Sequence, residues 1–108
     1  MKVLLLAGGW SPEREVSLKG GEQIAAALKG TGVKVLVDGG IRTGVDVCKA
    51  LALGADGVLL ARPYVTAVYG GGAEGVRLLT QKLKGELEDT MAMCGVHSLS
   101  EISRELLF

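Results

Sequence analysis

"VKVLVDGGIRTG", residues 33–44, runs from apolar residues into an aspartate, a pair of glycines and an arginine. Its first half, with Val33, Val35, Leu36 and Val37, has the composition of a parallel strand buried on both faces. Gly39 and Gly40 then admit backbone angles that other residues resist, so successive amide N–H groups can converge on a ligand. Thr43 with Asp46 three residues on is the signature of a capping box, so a helix starts there. Strand, glycine turn and helix N-terminus in succession suit an anion, because the amides and the helix dipole both favour negative charge.

The same rhythm extends in both directions. Apolar runs at 2–7, 33–38 and 57–61 predict strands, and helical periodicity predicts helices over about 17–29, 44–53 and 73–94. The helix at 44–53 is expected to bury Val45, Cys48, Leu51 and Ala52 and to stop at Gly54. Residues 64–72, "YVTAVYGGG", read as a loop. The long helix after them carries a stripe of Val76, Leu79, Leu83, Leu87, Met91 and Cys94. A short last helix is expected from Ser98, burying Leu99, Ile102 and Leu106. These elements predict a single α/β domain over residues 1–108: an open three-stranded parallel sheet of (βα)3 type, strand order 1-2-3, plus a C-terminal helix. A closed TIM barrel requires roughly 250 residues.

Composition narrows the function classes. Twelve basic and twelve acidic side chains balance in 108 residues, so no basic field is available for nucleic acid. Hydrophobic residues make up 48% with few aromatics, so Leu, Val, Ala and Ile must build the core. The glycines cluster where apolar runs end, as βα turns require. Cys48 and Cys94 fall in helical patterns and are expected to be reduced, buried thiols. No apolar stretch is long enough to cross a membrane, and the N-terminal run reads as a strand rather than a leader, which predicts a cytoplasmic protein.

Two stretches resemble known families. "MKVLLLAGGWSPEREVSLKGGEQIAAAL" resembles the N-terminus of D-alanine–D-alanine ligases, with their G-G-x-S-x-E-R-x-V-S loop, over residues 1–32. "VLVDGGIRTGVDVCKALALGADGVLLARPYV" resembles the last two barrel strands of FMN-dependent α-hydroxy-acid oxidases and dehydrogenases, which are TIM barrels. "GGGAEGVRLLTQKLKGELEDTMAMCGVHSLSEI" resembles their final helices, so this likeness spans 33–108. The seam falls at "KGTGVKV", a helix-to-strand transition in either parent, which predicts an engineered chimera of two α/β pieces.

The resemblances imply site residues. Positions matching Asp38, Gly39, Gly40 and Arg42, with Ala61 and Arg62 after the third strand, hold the FMN phosphate in the flavin family. Ala61 stands where that family usually has glycine, and its methyl is expected to crowd a phosphate oxygen. The alternative is a plain tight turn whose arginines pair with surface acids. The ligase likeness implies Glu13, Arg14 and Ser17 as weak substrate contacts; otherwise these are loop residues, with Ser11 or Ser17 as a cap. The flavin family's catalytic histidine lies in an upstream H-G-G-R segment that the sequence does not contain, and His97 has no comparable context. We therefore expect no catalytic residues, no metal site and no enzyme activity. FMN or phosphate is expected as an optional rather than required ligand. The alternative is an FMN-binding module or a remnant of the oxidoreductase. Apolar strands bare on one face predict a symmetric homodimer, with no nucleic-acid or membrane partner.

Overall fold

The computed structural model describes residues 19–20, 23–24, 26–28 and 31–107, together with the backbone of 2–6. Strand β1 is Lys2–Leu6, β2 is Lys34–Asp38 and β3 is Gly57–Leu59. All pair in parallel in the order β1-β2-β3, and the register sets Leu6, Asp38 and Leu59 level with one another. The strands therefore end along one edge, and the turns that follow β2 and β3 emerge side by side. This is a mixed α/β arrangement on a parallel sheet. Its second and third strands each lead into a helix, α1 at Gly44–Ala52 and α2 at Arg62–Met93. After β1, helix is described only at 19–20, 23–24 and 26–28, so the full (βα)3 repeat extends beyond the described residues.

Asp56 ties the sheet together. Its carboxylate accepts the Val35 N–H at 2.8 Å, and its own N–H donates to the Val35 carbonyl at 2.8 Å. Among the described residues Val35 is the most buried large one at 2% exposure, and burying a valine side chain contributes about 1.5–3 kcal/mol. The remaining core among the described residues consists of Ile41 with Ala50 and Ala55, Cys48 with Ala52 and Ile102, and Leu83. The sheet is less enclosed than the sequence predicts. Lys34 is exposed, while Leu36, Val37 and Asp38 are half-buried.

Several expectations need correcting. Residues 64–72 are helical, not a loop. Pro63 fills the first turn of α2, where its missing N–H costs nothing. The chain then turns sharply at Gly72 (φ 55°, ψ −140°), an angle pair suited to glycine. Because of that turn the Tyr64 hydroxyl meets the Thr80 hydroxyl at 2.9 Å, so the arms at 62–71 and 73–93 fold back as a helical hairpin. Strand β3 stops at Leu59 because Leu60 and Ala61 already lead into α2. On α1, Val45 is exposed and Ala50 is buried in its stead. The stripe of the second arm buries only Leu83, and Cys94 is exposed. The expected tail helix is a pair of 3-10 turns, Leu99–Glu101 and Arg104–Leu106. Ile102 is buried, but Leu99 is 57% exposed.

Candidate functional site

Asp38 closes β2, and the chain then turns through Gly39 (φ 100°) and Gly40 (φ 78°). Two successive positive φ angles exclude ordinary side chains at both positions, so the glycines serve the turn itself. Ile41 anchors the far end in the core. Arg42 follows, its guanidinium donating to the Ile41 carbonyl at 2.9 Å. Across from this turn, Leu59, Leu60, Ala61 and Arg62 carry β3 into α2. Together the two segments enclose a cleft of about 300 Å³ lined by Asp38, Gly39, Gly40, Ile41, Arg42, Leu59, Leu60, Ala61 and Arg62. Asp38, Gly39, Gly40, Arg42, Ala61 and Arg62 thus share one cavity.

The two helix starts beside this cleft differ. At α1 the capping box forms as the sequence predicts. Asp46 N–H donates to Thr43 Oγ1 at 3.1 Å, and Asp46 Oδ2 accepts from Thr43 N–H at 3.0 Å. The same Oδ2 takes the Arg42 N–H at 2.9 Å, and Glu86 Oε2 takes the Gly44 N–H at 2.8 Å. Two carboxylates already occupy the amides that the sequence offers to an anion. The α1 N-terminus is therefore a closed site, contrary to that expectation. At α2 the N-cap is Ala61, which has no side chain able to cap, and Pro63 is the only first-turn residue without an N–H. A helix start with no side-chain cap among the described residues, facing the Gly39–Gly40 turn, favours negative charge.

Ala61 lies at φ −113°, an angle any residue adopts, so alanine brings a methyl but no backbone strain. Arg62 is exposed, and none of the ion pairs among the described residues involves it. Glu13, Arg14, Ser17 and Ser11 lie outside the described residues. His97 is exposed, its backbone N–H donating to Glu101 Oε2 at 3.0 Å, and it does not line the cleft. Among the described residues no group of acids, histidines or cysteines is arranged to hold a metal, and no helix is long and apolar enough to cross a membrane. Glu86 escaped sequence reasoning because its partner Gly44 lies 42 residues away.

A parallel sheet with a glycine turn, an open helix start and two arginines gathered at its strand ends is the architecture of α/β proteins that take phosphate-bearing ligands at that edge. The family model for FMN-dependent dehydrogenases matches residues 15–108. The chain belongs to that family. It is 49% identical over 83 residues to a peroxisomal (S)-2-hydroxy-acid oxidase of Oryza sativa subsp. japonica, covering 77% of this chain and 22% of that protein. It is 48% identical over 84 residues to an L-lactate dehydrogenase of Xanthomonas campestris pv. campestris, covering 78% and 22%. A mandelate oxidase solved with benzoyl-formic acid superposes with a TM-score of 0.72 at 47% identity, covering 77% of this chain and 24% of that one. A variant of the enzyme solved with a monooxide FMN adduct superposes equally well, at a TM-score of 0.72.

These comparisons correct the expectation of a non-enzyme: the relatives at about this identity are oxidases and dehydrogenases. For the cofactor they support FMN, which the sequence expectation left optional: the family is FMN-dependent. The chain spans 22% of the length of these curated relatives. The family match begins at residue 15, ahead of the seam expected near residue 32.

Proposed function

We propose that this chain forms the phosphate-holding end of the flavin site of an FMN-dependent 2-hydroxy-acid oxidoreductase. One observation carries the reading: the Asp38–Arg42 turn and the uncapped start of α2 face each other across one cleft. The amides after Gly39 and Gly40 and the first turn of α2 would hold phosphate oxygens, with Arg42 and Arg62 neutralising their charge. Asp46 and Glu86, closing α1, keep a second anion away from that helix. When bound, the flavin supplies a two-electron acceptor; the residues here fix its phosphate and so its position. The test is a titration of FMN and of inorganic phosphate, repeated with Arg42 and Arg62 both changed to alanine. We expect measurable affinity in the parent chain and its loss in the double variant. Undiminished affinity there would place the site elsewhere.

A finer reading concerns residues 1–32, where the G-G-x-S-x-E-R-x-V-S motif supports a ligase-like origin and a chimeric chain. D-Alanine titration of the parent against a Glu13→Ala, Ser17→Ala variant tests whether those residues still contact that ligand; an identical absence of response removes them from the site. For the compartment, two free thiols support a reducing interior.

A further inference from the structure

A second cleft of about 330 Å³ opens between α1, the end of α2 and the C-terminal turns. It takes no part in the phosphate cradle. Cys48 from α1 and Cys94 from the α2 C-cap both line it, and Leu106 and Leu107 close one side. Both thiols are free, Cys48 at 5% exposure and Cys94 exposed.

The packing of the helices sets the two sulfurs in one neighbourhood. At Gly44 the backbone of α2 comes so near that an added Cβ would lie 2.6 Å from the Leu83 carbonyl oxygen. One turn further along α1, Cys48 joins a cluster that includes Ala52, Leu87 and Met91. Cys94 follows Met91 by one turn of α2. It sits where the helix ends, with its N–H on the Thr90 carbonyl at 3.0 Å and Gly95 at φ 74° directly after. A cysteine at a helix terminus can shift toward a partner without breaking interior helix bonds. The cleft provides the room.

We propose that Cys48 and Cys94 are a redox pair that closes to an intramolecular disulfide when the chain meets a peroxide. Exposed Cys94 reacts first: its sulfur attacks the peroxide, the O–O bond breaks, and Cys94 becomes a sulfenic acid as one water leaves. The Cys48 sulfur then attacks the Cys94 sulfur, the S–S bond forms, and the departing hydroxide takes the Cys48 proton as a second water. The two thiols lose a pair of electrons and hydrogen peroxide gains them. Burial, and then the charge of Cys94, hold the Cys48 thiol above its ordinary pKa, which fits the resolving role rather than first attack. The inference stands on the α1–α2 packing and does not depend on the flavin reading.

The experiment treats the reduced full chain with hydrogen peroxide and reads intact mass under non-reducing conditions, followed by peptide mapping. We expect a monomer that has lost a pair of hydrogens, a Cys48–Cys94 cross-linked peptide, and full reversal by dithiothreitol. Cys48→Ala should stop at a Cys94 sulfenic acid that dimedone traps. Cys94→Ala, at an exposed position that leaves the core intact, should keep Cys48 reduced. A sulfenic or sulfinic Cys94 persisting in the parent chain, or disulfides formed only between chains, overturns the proposal.

Discussion

At Gly44 the glycine serves close approach, not turn geometry. The residue is buried at the start of α1, and a Cβ there would lie 2.6 Å from the Leu83 oxygen and 2.7 Å from the Glu86 carbonyl carbon. Both neighbours are backbone, so neither can swing aside. Gly44→Ala must push the helices apart and strain the Gly44 N–H bond to Glu86, and we expect a loss of about 1–3 kcal/mol. Urea unfolding measures it, and an unchanged midpoint would show that the interface yields freely. Cys48 offers a test by pH. Its thiol pKa is raised from the ordinary 9.0 by burial and then by Cys94. The folded chain therefore holds that proton more tightly than the unfolded chain does. The resulting stability is fully present below the unfolded pKa and is lost as pH rises through the folded one. The thermal midpoint should fall as pH rises past the ordinary thiol value of 9.0, and fall less steeply in Cys48→Ala. Parallel slopes in the two proteins would assign the alkaline loss to other groups.

Among the elements, the hairpin within α2 braces the arm that begins at Arg62. Gly72 provides the reversal, the Tyr64–Thr80 hydroxyl bond ties the arms, and Gly75 lies so near Ala67 that a Cβ there would meet the Ala67 carbonyl. Gly72→Ala places a side chain at φ 55°, ψ −140°, a strain of about 1–3 kcal/mol. If the arm at 62–71 tilts to relieve it, Arg62 leaves the cleft. We expect both a lower unfolding midpoint and weaker phosphate binding from this one substitution, read by thermal shift with and without phosphate. Loss of stability with binding intact would separate the hairpin from the cradle. The first arm was illegible in the sequence because its valines, threonine, tyrosines and glycines are poor helix formers. Pro63 was the one local sign, since proline suits a first helical turn. By contrast, the β2–turn–α1 segment was legible because strand, glycines and capping box are local chemistry. What closes α1 to anions was only half visible: Asp46 lies within the motif, but Glu86 reaches Gly44 through tertiary packing alone. The tail was misread because spacing alone matched Leu99 with Ile102, yet serines at 98, 100 and 103 favour short turns over a helix.

For the whole molecule, surface area is the informative quantity. The chain exposes 7323 Å², against about 5,700 Å² for a compact monomer of 11.2 kDa. Its radius of gyration of 14.4 Å likewise exceeds the roughly 13 Å of a compact domain this long. Large apolar side chains are exposed among the described residues. Val65, Val68 and Tyr69 stand exposed on the first arm of α2, Tyr69 at 96%, and Leu78 and Met93 on the second. Soluble monomers rarely leave such a surface uncovered. A standard interface buries about 800 Å² per partner, well within the excess of about 1,600 Å². We therefore expect the chain to self-associate through the outer face of the hairpin, as a closed two-fold dimer. Sedimentation equilibrium over about a hundredfold range of concentration, the span in which a weak dimer dissociates, reads it directly. The average mass should rise with concentration in the parent chain and stay at 11.2 kDa when Val65 and Val68 are both changed to aspartate. A parent chain that holds the monomer mass throughout rejects the dimer, and its apolar hairpin then faces water at the expense of solubility.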